Sequence, residues 1–275
     1  MHAAFDPARK ATLARLLERL PADRVHVEVD HDRQGAWPVA RKCWQAGINS
    51  GLSHIVLLND DALPCPGFDE AAAEALRALD CGSIWDCPLY FYANNEFSAA
   101  ALAGGYRWLT SFDGLVGVAC AMSRGMALDF LEFCDNDLRS GSAVRGDDRI
   151  NLFAMAHGLD VMCTLPGLVE HQLPNESLLG NAHHDSRTSL TPIPQTAEEA
   201  AAIDWEGDIL HIGKHYRDNY WWLTTELTTQ AQVRYQAHRK AHEIAIMSSQ
   251  IREHVCSLIQ PQPNSQALPI TPPQA

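Results

Sequence analysis

Residues 54–68 read HIVLLNDDALPCPGF and set the pattern for the first half of the chain. Four apolar residues (55–58) lead directly into Asn59, Asp60 and Asp61, and a proline-rich turn follows. The apolar run predicts a strand, so the two adjacent carboxylates are expected at the edge of a sheet. Because like charges repel each other there, the pair indicates that a bound cation offsets them.

The residues on either side of this stretch alternate between predicted strands and predicted helices. Strands are predicted at the N-terminus, over 24–30 and over 54–60, and helices are predicted from Asp6-Pro7, over 37–50 and over 68–79. This alternation is typical of an α/β fold in which helices cover a parallel sheet. Ligands bind beyond the carboxyl ends of the strands in such sheets. Asp30, which ends the second strand, and the Asp60–Asp61 pair are therefore expected at one edge.

The second half of the chain is less regular. Further strands are predicted over 82–92, over 114–123 and at the start of 160–172, and helices over 127–133 and 146–158. Residues 173–200 are rich in Pro, Ser, Thr, Asn and His without periodicity, which predicts a long loop. Residues 229–259 predict a polar helix. The last fifteen residues include five prolines and no charged residue, which predicts a disordered tail.

Composition excludes some functions. The net charge of −13 argues against general electrostatic binding of nucleic acid or of an anionic membrane, which needs clustered Lys and Arg. No apolar run approaches the roughly 20 residues that span a bilayer, and the N-terminus lacks a signal-peptide pattern. The eight cysteines are scattered without a C-x-x-C pair, so we expect reduced core thiols in a cytoplasmic protein.

The acid pair has two interpretations on its own. Paired acids at a strand end commonly hold Mg²⁺ or Mn²⁺, which are hard ions that take oxygen ligands and share the phosphate oxygens of a substrate. Alternatively, Asp60 and Asp61 only cap the turn and the helix that begins near Phe68. The local residues leave both interpretations open.

Six blocks along the chain extend this pattern. In order they are VHVEVD (25–30), GAWPVARKCWQAG (35–47), HIVLLNDDALPCPGF (54–68), GLVGVACAMSR (114–124), GDDRINLFAMAHG (146–158) and LPGLVEHQLPNESLLGN (165–181). Their order and spacing resemble a GT-A-fold glycosyltransferase, in particular the small bacterial and bacteriophage-type members. The resemblance covers roughly residues 1–185. It implies a GT-A (Rossmann-like), mostly parallel sheet flanked by helices, with a C-terminal helical extension.

The resemblance also implies a division of the chain and an activity. Residues 1–185 would form the GT-A-like catalytic domain, 186–228 a loop-rich part that closes over the site, 229–259 a C-terminal helix and 260–275 a disordered tail. The implied activity is metal-dependent transfer of a sugar from a nucleotide-diphosphate sugar to an acceptor hydroxyl. A UDP-sugar is the favoured donor, and Mn²⁺ or Mg²⁺ is the implied cofactor.

Donor-binding roles carry over residue by residue from the resemblance. Asp30 would contact the base and ribose, and Arg41 the base or diphosphate. The family's D-x-D-type motif corresponds to Asn59, Asp60 and Asp61, with Asp61 as the direct metal ligand and Asp60 directed to the ribose or a metal-bound water. Asn59 departs from the Asp that the family often has, so one formal charge is missing.

A late histidine and further cations complete the implied donor site. His171 in LVEHQ is the favoured additional metal ligand, and His211 in HIGKHY is the competitor. Lys214 or Arg187 would add positive charge near the phosphates, although an exposed Lys or Arg is usually a solvated surface residue. The adjacent histidines 183–184 are explained by a solvated loop or by donor or acceptor contacts.

The resemblance places the catalytic base at the start of a helix. In RGDDRINLF, Asp148 matches the second acid of the family's Glu-Asp pair and would deprotonate the acceptor hydroxyl, with Asp147 as the reserve. Simple capping of the helix N-terminus by either acid is the alternative.

The acceptor and the partners are the least specified features. Tyr106 and Trp108, and a second aromatic cluster at 220–222, suit stacking on a sugar or base, or core packing. The acceptor would be a saccharide, a protein or a hydroxylated DNA base, and the acidic composition favours the first two. We expect no membrane contact, and a homo-oligomer through the C-terminal helix is a further possibility.

Three other functions compete with sugar transfer. A nucleotidyltransferase would use the same acids and metal, but it would need a Gly-rich loop after the first strand, where AAFDPARK (3–10) has no glycine. A non-catalytic module would bind the nucleotide-sugar without turnover. Nucleic-acid binding through residues 233–254 is disfavoured because that segment mixes acids with bases.

Overall fold

The computed structural model of the chain describes residues 2–4, 9–81, 87–95, 97–111, 117–140, 142, 144, 146–172, 188–212, 227–241 and 244. The strands are β1 His2–Ala4, β2 Glu28–Asp30, β3 His54–Leu58, β4 Ala62–Pro64, β5 Leu89–Tyr90, β6 Trp108–Ser111, β7 Ala119–Ser123, β8 Val161–Thr164, β9 Val169–His171 and β10 Ile209–Ile212. The helices are α1 Lys10–Leu17, α2 Ala36–Asn49, α3 Phe68–Cys81, α4 Ser98–Ala103, α5 Arg124–Asn136, α6 Gly146–His157, α7 Ala197–Ala201 and α8 over 229–241. None of the helices in these ranges has the length and apolar composition of a membrane-spanning segment.

A six-stranded sheet forms the centre of the fold, in the order β10-β6-β8-β5-β7-β3. The α/β class predicted from the sequence is confirmed. The sheet is mixed rather than mostly parallel, because β7 runs antiparallel to both β3 and β5, and β6 runs antiparallel to β8. Side-chain alternation in the sequence carries no information on strand direction, so this difference was not predictable from the pattern.

Two smaller sheets accompany the central one. Strands β1 and β2 pair in parallel, with Ala4 opposite Asp30, and α2 packs against β1, β2 and β3. Strands β4 and β9 form an antiparallel pair with Ala62 opposite His171. This second pair joins the turn after β3 to a segment more than one hundred residues later in the chain.

The core lies on both faces of the central sheet. Alternate residues of β7 belong to different apolar clusters, with Cys120 and Met122 in one and Ala119 and Ala121 in the other. The first cluster packs against α2, α5 and α6, and the second against α3. Burial on both faces explains why β7 reads as a continuous apolar run in the sequence.

Most predicted helices are present with small boundary changes. The helix predicted over 37–50 is α2, that over 68–79 is α3, that over 127–133 is the longer α5, and that over 146–158 is α6. Helix α5 begins earlier than predicted because the Ser123 hydroxyl accepts the Met126 N–H and caps the first turn. The short α7, capped by Thr196, overlaps the end of the predicted 173–200 loop.

Predicted strands are shorter than expected. A 3₁₀ turn over Ala22–Arg24 precedes β2, so the strand predicted over 24–30 is reduced to its last three residues. The segment 160–172 contains two strands, β8 and β9, which belong to different sheets. Of the strand predicted over 82–92, residues 87–92 are described, and only Leu89–Tyr90 among them form a strand, β5.

Helix α8 packs against α5 and α6. Its residues Ala231 and Tyr235 are buried in the same cluster as α5 and α6, and Arg234 pairs with Asp137. The apolar face of the predicted polar helix therefore covers its own domain over this length. Oligomer formation through its other face stays a prediction, and the predicted tail over 260–275 lies outside the described residues.

The described cysteines are core residues, as predicted. Those whose side chains the structure describes are buried: Cys43, Cys65, Cys87, Cys120, Cys134 and Cys163. Burial raises the pKa of Cys65 to about 11 and that of Cys163 to about 12. These thiols are therefore protonated and contribute apolar packing rather than nucleophilic chemistry.

Candidate functional site

The small β4–β9 sheet brings Asp61 and His171 together. Asp60 and Asp61 form the turn between β3 and β4, and the Asp61 carbonyl accepts the N–H of Gln172 at 2.7 Å. In this arrangement the Asp61 Oδ2 lies 3.4 Å from the His171 Nε2. Because both side chains are almost buried, the pair forms a defined polar centre at the end of β3.

Arg9 provides positive charge to the acid pair. Its Nη1 lies 2.9 Å from the Asp61 Oδ2 and 3.5 Å from the Asp60 Oδ1, and the Arg9 side chain is only 7% exposed. The guanidinium of Arg9 thus offsets the repulsion between Asp60 and Asp61. The sequence pattern had predicted a bound cation for that purpose. The contact between Arg9 and the acid pair was not predicted from the sequence. One feature of the sequence could have indicated it: Arg9 follows β1, and the carboxyl end of this strand was expected at the same sheet edge as Asp60 and Asp61.

Gln172 holds the elements of this centre in place. Its buried side-chain amide donates to the Ala62 carbonyl at 2.8 Å and to the Thr12 carbonyl at 3.2 Å. The Thr12 hydroxyl in turn donates to the Arg9 carbonyl at 2.7 Å. These bonds join α1 to β4 and β9, so the backbone of Arg9 is fixed relative to Asp61.

Asp30 closes the turn before α2. Its Oδ1 accepts the Gln34 N–H at 2.7 Å, and its Oδ2 accepts the Gly35 N–H at 2.8 Å. Asp30 lies opposite Ala4 in the β1–β2 pair. Arg9 comes five residues after Ala4 in the chain, so the two Cα atoms are at most about 18 Å apart. Asp30 therefore lies beside the carboxyl end of β1. The chain continues from that end to Arg9, which contacts Asp60 and Asp61. The contact of Asp30 with a donor stays a prediction.

Arg41 forms an ion pair with an acid of another helix. Its Nη2 lies 2.7 Å from an oxygen of Asp135 on α5, and both side chains are about half exposed. The hydrogen bond that Arg41 donates to the Asp135 carboxylate raises the pKa of Arg41. Arg41 therefore joins α2 to α5 at the surface, and its contact with a donor stays a prediction.

The start of α6 carries the predicted base. Asp147 and Asp148 are half-buried in its first turn, where the Asp147 Oδ1 accepts the Asp148 N–H at 3.0 Å. The next residue, Arg149, is buried, and its guanidinium lies 4.4 Å from the ring centre of Trp37 in the first turn of α2. This contact holds the start of α6 against the helix that follows Asp30. Asp147 thus has a capping role, and the role of Asp148 as base stays a prediction.

His211 lies far from the acid pair. Its Nδ1 is 2.8 Å from the Thr110 Oγ1 and 3.7 Å from the Asp160 Oδ2. The hydrogen bond with Asp160 raises the pKa of His211. His211 belongs to β10 and Asp61 follows β3, which are the two opposite edges of the six-stranded sheet, roughly 24 Å apart at about 4.8 Å per strand. His171 is therefore the histidine that the fold places beside Asp61.

Other predicted site residues divide into two groups. Trp108 is buried and packs on Trp205 with ring centres 5.4 Å apart, so core packing accounts for it, and Tyr106 packs partly buried against the core. The remaining residues lie outside the described ranges: Arg187, Lys214, the histidines 183–184 and the aromatic cluster 220–222.

The geometry of Asp61 and His171 suits two ligands of one cation. Two ligand atoms at about 2.1 Å from an ion lie roughly 3.0–3.4 Å apart, which includes the observed spacing of 3.4 Å. The Asp61 Oδ1 is buried and accepts no hydrogen bond from the described residues. Within those residues, no group of three or more His, Cys, Asp and Glu side chains surrounds a common point. A cation here would therefore take its remaining ligands from substrate oxygens and water, as Mg²⁺ often does.

No protein-family model matches the chain, and no curated protein shows significant sequence similarity to it.

Proposed function

We propose that the protein is a glycosyltransferase of the GT-A type, with a metal-dependent donor site at the carboxyl end of β3. The observation that carries the proposal is the 3.4 Å contact between Asp61 and His171 across the β4–β9 pair. The mixed α/β sheet with this acid turn beyond its strand end suits a ligand site of that kind. Mn²⁺ or Mg²⁺ is the proposed cofactor, and the mixed oxygen and imidazole ligands favour Mn²⁺.

The donor would be a nucleotide-diphosphate sugar, with a UDP-sugar favoured. Asp61 and His171 would hold the cation. Asn59 and Asp60 lie in the same turn as Asp61 and would contact the ribose or a metal-bound water. The chemistry that the bound cation supplies is neutralisation of the diphosphate as the sugar–phosphate bond breaks. Lys214 and Arg187 keep their proposed role as further positive charges for the phosphates.

Asp148 is the proposed general base for the acceptor hydroxyl. Adjacent helix residues point about 100° apart, so Asp147 can cap the first turn while Asp148 faces the substrate. The 3.0 Å bond from the Asp148 N–H to the Asp147 Oδ1 agrees with that separation of roles. A positioned base of this kind typically contributes 10²–10⁴-fold to the rate.

The acceptor class follows from charge. A net charge of −13 disfavours the phosphate backbone of nucleic acid, so a saccharide or a protein hydroxyl is the preferred acceptor over a hydroxylated DNA base. The proposed compartment is the cytoplasm, because the described cysteines are buried thiols.

A binding module without turnover is the second candidate. The observation that favours it is Arg9, whose guanidinium neutralises Asp60 and Asp61 within the protein. A fold whose acid pair is already compensated does not need a cation for stability. The nucleotidyltransferase alternative has no comparable observation in its favour.

Thermal unfolding in the presence of nucleotide-sugars tests the proposal. We expect one class of nucleotide-diphosphate sugar to raise the melting temperature with Mn²⁺ present, because a ligand that binds only the native state stabilises it by mass action. The increase should disappear with a chelator and with the free sugar. If no nucleotide-sugar raises the melting temperature with Mn²⁺ present, the transferase and the binding module are both wrong.

Replacing Asp148 with Asn separates the enzyme from the binding module. Loss of the base should lower the rate of sugar transfer at least about a hundredfold while donor binding stays unchanged. Transfer rate and donor affinity are measured on Asp148→Asn and on the matched control Asp147→Asn. A larger rate loss in Asp147→Asn than in Asp148→Asn would mean that Asp147, not Asp148, is the base. Equal activity of both variants and the unmodified protein would rule out either acid as the base.

A further inference from the structure

We propose that Arg9 is an exchangeable phosphate-binding residue of the donor site, which holds Asp60 and Asp61 before ligand binding and transfers to the donor diphosphate afterwards. The inference rests on the proposed function, because it takes the Asp61–His171 pair as the cation site. It adds a residue that neither the sequence pattern nor the resemblance assigned.

The contacts of a single oxygen atom carry this inference. The Asp61 Oδ2 lies 2.9 Å from the Arg9 Nη1 and 3.4 Å from the His171 Nε2. The atom that would bind a cation together with His171 is therefore already bound by a guanidinium. A divalent cation at this oxygen would lie next to the positive charge of Arg9 and repel it strongly at low dielectric. Both cations cannot keep this position, so Arg9 has to move when a metal ion binds.

The surroundings of Arg9 determine which part of it can move. Its carbonyl accepts a hydrogen bond from Thr12, and the first turn of α1 is joined to β4 through Gln172. The backbone is thus held at the site, and movement is confined to the long side chain. A guanidinium on a fixed backbone beside a cation is well placed to bind the diphosphate that the cation attracts, since its planar fork matches phosphate oxygens.

Burial gives the exchange a thermodynamic direction. Asp60 and Asp61 are nearly buried, so a state in which neither Arg9 nor a cation compensates them is unfavourable. A metal ion that binds alone must displace Arg9 from Asp60 and Asp61. A metal ion that binds with a diphosphate provides Arg9 with a new partner. Metal and nucleotide should therefore bind with positive coupling, and Arg9 should carry that coupling.

Titration of Mn²⁺, followed by the electron paramagnetic resonance of the free ion, tests the exchange with and without UDP. In the unmodified protein, UDP should tighten Mn²⁺ binding at least about tenfold. Arg9→Gln should bind Mn²⁺ alone at least about tenfold more tightly than the unmodified protein, and UDP should add little. Arg15→Gln, a change of an exposed arginine on α1, the helix that Arg9 precedes, is the matched control and should behave like the unmodified protein.

A second variant protects the test against loss of folding. Arg9→Gln leaves two buried acids without their cation, whereas the double variant Arg9→Gln with Asp60→Asn removes one charge of each sign. The double variant should still bind Mn²⁺ without coupling to UDP. If Mn²⁺ binds the unmodified protein and both Arg9 variants equally, and Asp61→Asn abolishes binding, the metal site stands and the exchange is wrong. If the unmodified protein binds no Mn²⁺ with or without UDP, the proposed metal site is wrong as well.

Discussion

Replacing Asp61 with Asn is expected to lower the rate of metal-dependent sugar transfer about a thousandfold. The change keeps the size of the side chain but removes the negative charge that faces His171 at 3.4 Å and Arg9 at 2.9 Å. Loss of the cation site removes several kcal/mol of transition-state stabilisation, and about 4 kcal/mol corresponds to a thousandfold in rate. Transfer rates with saturating Mn²⁺ and donor measure the effect.

The matched control for this prediction is Asp129→Asn, which makes the same chemical change at an exposed position on α5. The control should leave the rate within a factor of two. Asp61→Asn should also lose the rise in melting temperature that Mn²⁺ and donor produce together. Retention of metal-dependent transfer by Asp61→Asn within threefold of the unmodified rate would show that the acid turn is not the metal site.

Replacing Phe153 with Ala is expected to lower the free energy of unfolding by about 3–5 kcal/mol. Phe153 on α6 is 2% exposed, and its ring lies 5.6 Å from Phe130, 5.7 Å from Phe133 and 4.6 Å from His157 between ring centres. The alanine would leave a cavity between α5 and α6 and remove three ring contacts. Denaturant unfolding, with the midpoint and the slope both fitted, measures the loss.

Two comparisons identify the cause of that loss. Leu128→Ala removes an apolar side chain that is 46% exposed on α5 and should cost less than about 1 kcal/mol. Phe153→Leu keeps most of the volume and should cost clearly less than Phe153→Ala. A cost below about 1 kcal/mol for Phe153→Ala would mean that these rings do not form the cooperative core of the fold.

Local patterns account for the parts of the fold that were predicted correctly. Helix α2 spans Ala36–Asn49 where 37–50 was expected, and α3 spans Phe68–Cys81 where 68–79 was expected. Helical spacing of apolar residues is a short-range property, so it is readable from sequence. Strand direction is not readable in this way, because apolar alternation is the same for parallel and antiparallel neighbours. The antiparallel position of β7 between β3 and β5 therefore appeared only in the structure.

The candidate site shows the same division. The sequence identified Asp61 as an acid at a strand end, and the resemblance paired it with His171, which the β4–β9 register places opposite Ala62. The competing His211 was separated from the acid pair only by the strand order. The pair between Arg41 and Asp135 also appeared only in the structure, because a motif position does not determine which way a long side chain points.

The amino-acid sequence was sufficient to establish the α/β class, most helices and the position of the acids at the end of β3, because these features depend on neighbouring residues. Tertiary packing supplied the partner of those acids. Arg9 lies 51 residues from Asp60 in the chain and reaches it only because α1, β4 and β9 are joined through Gln172. Charge compensation acts through space over a few ångströms, and no local pattern in a single sequence records which distant side chain will provide it.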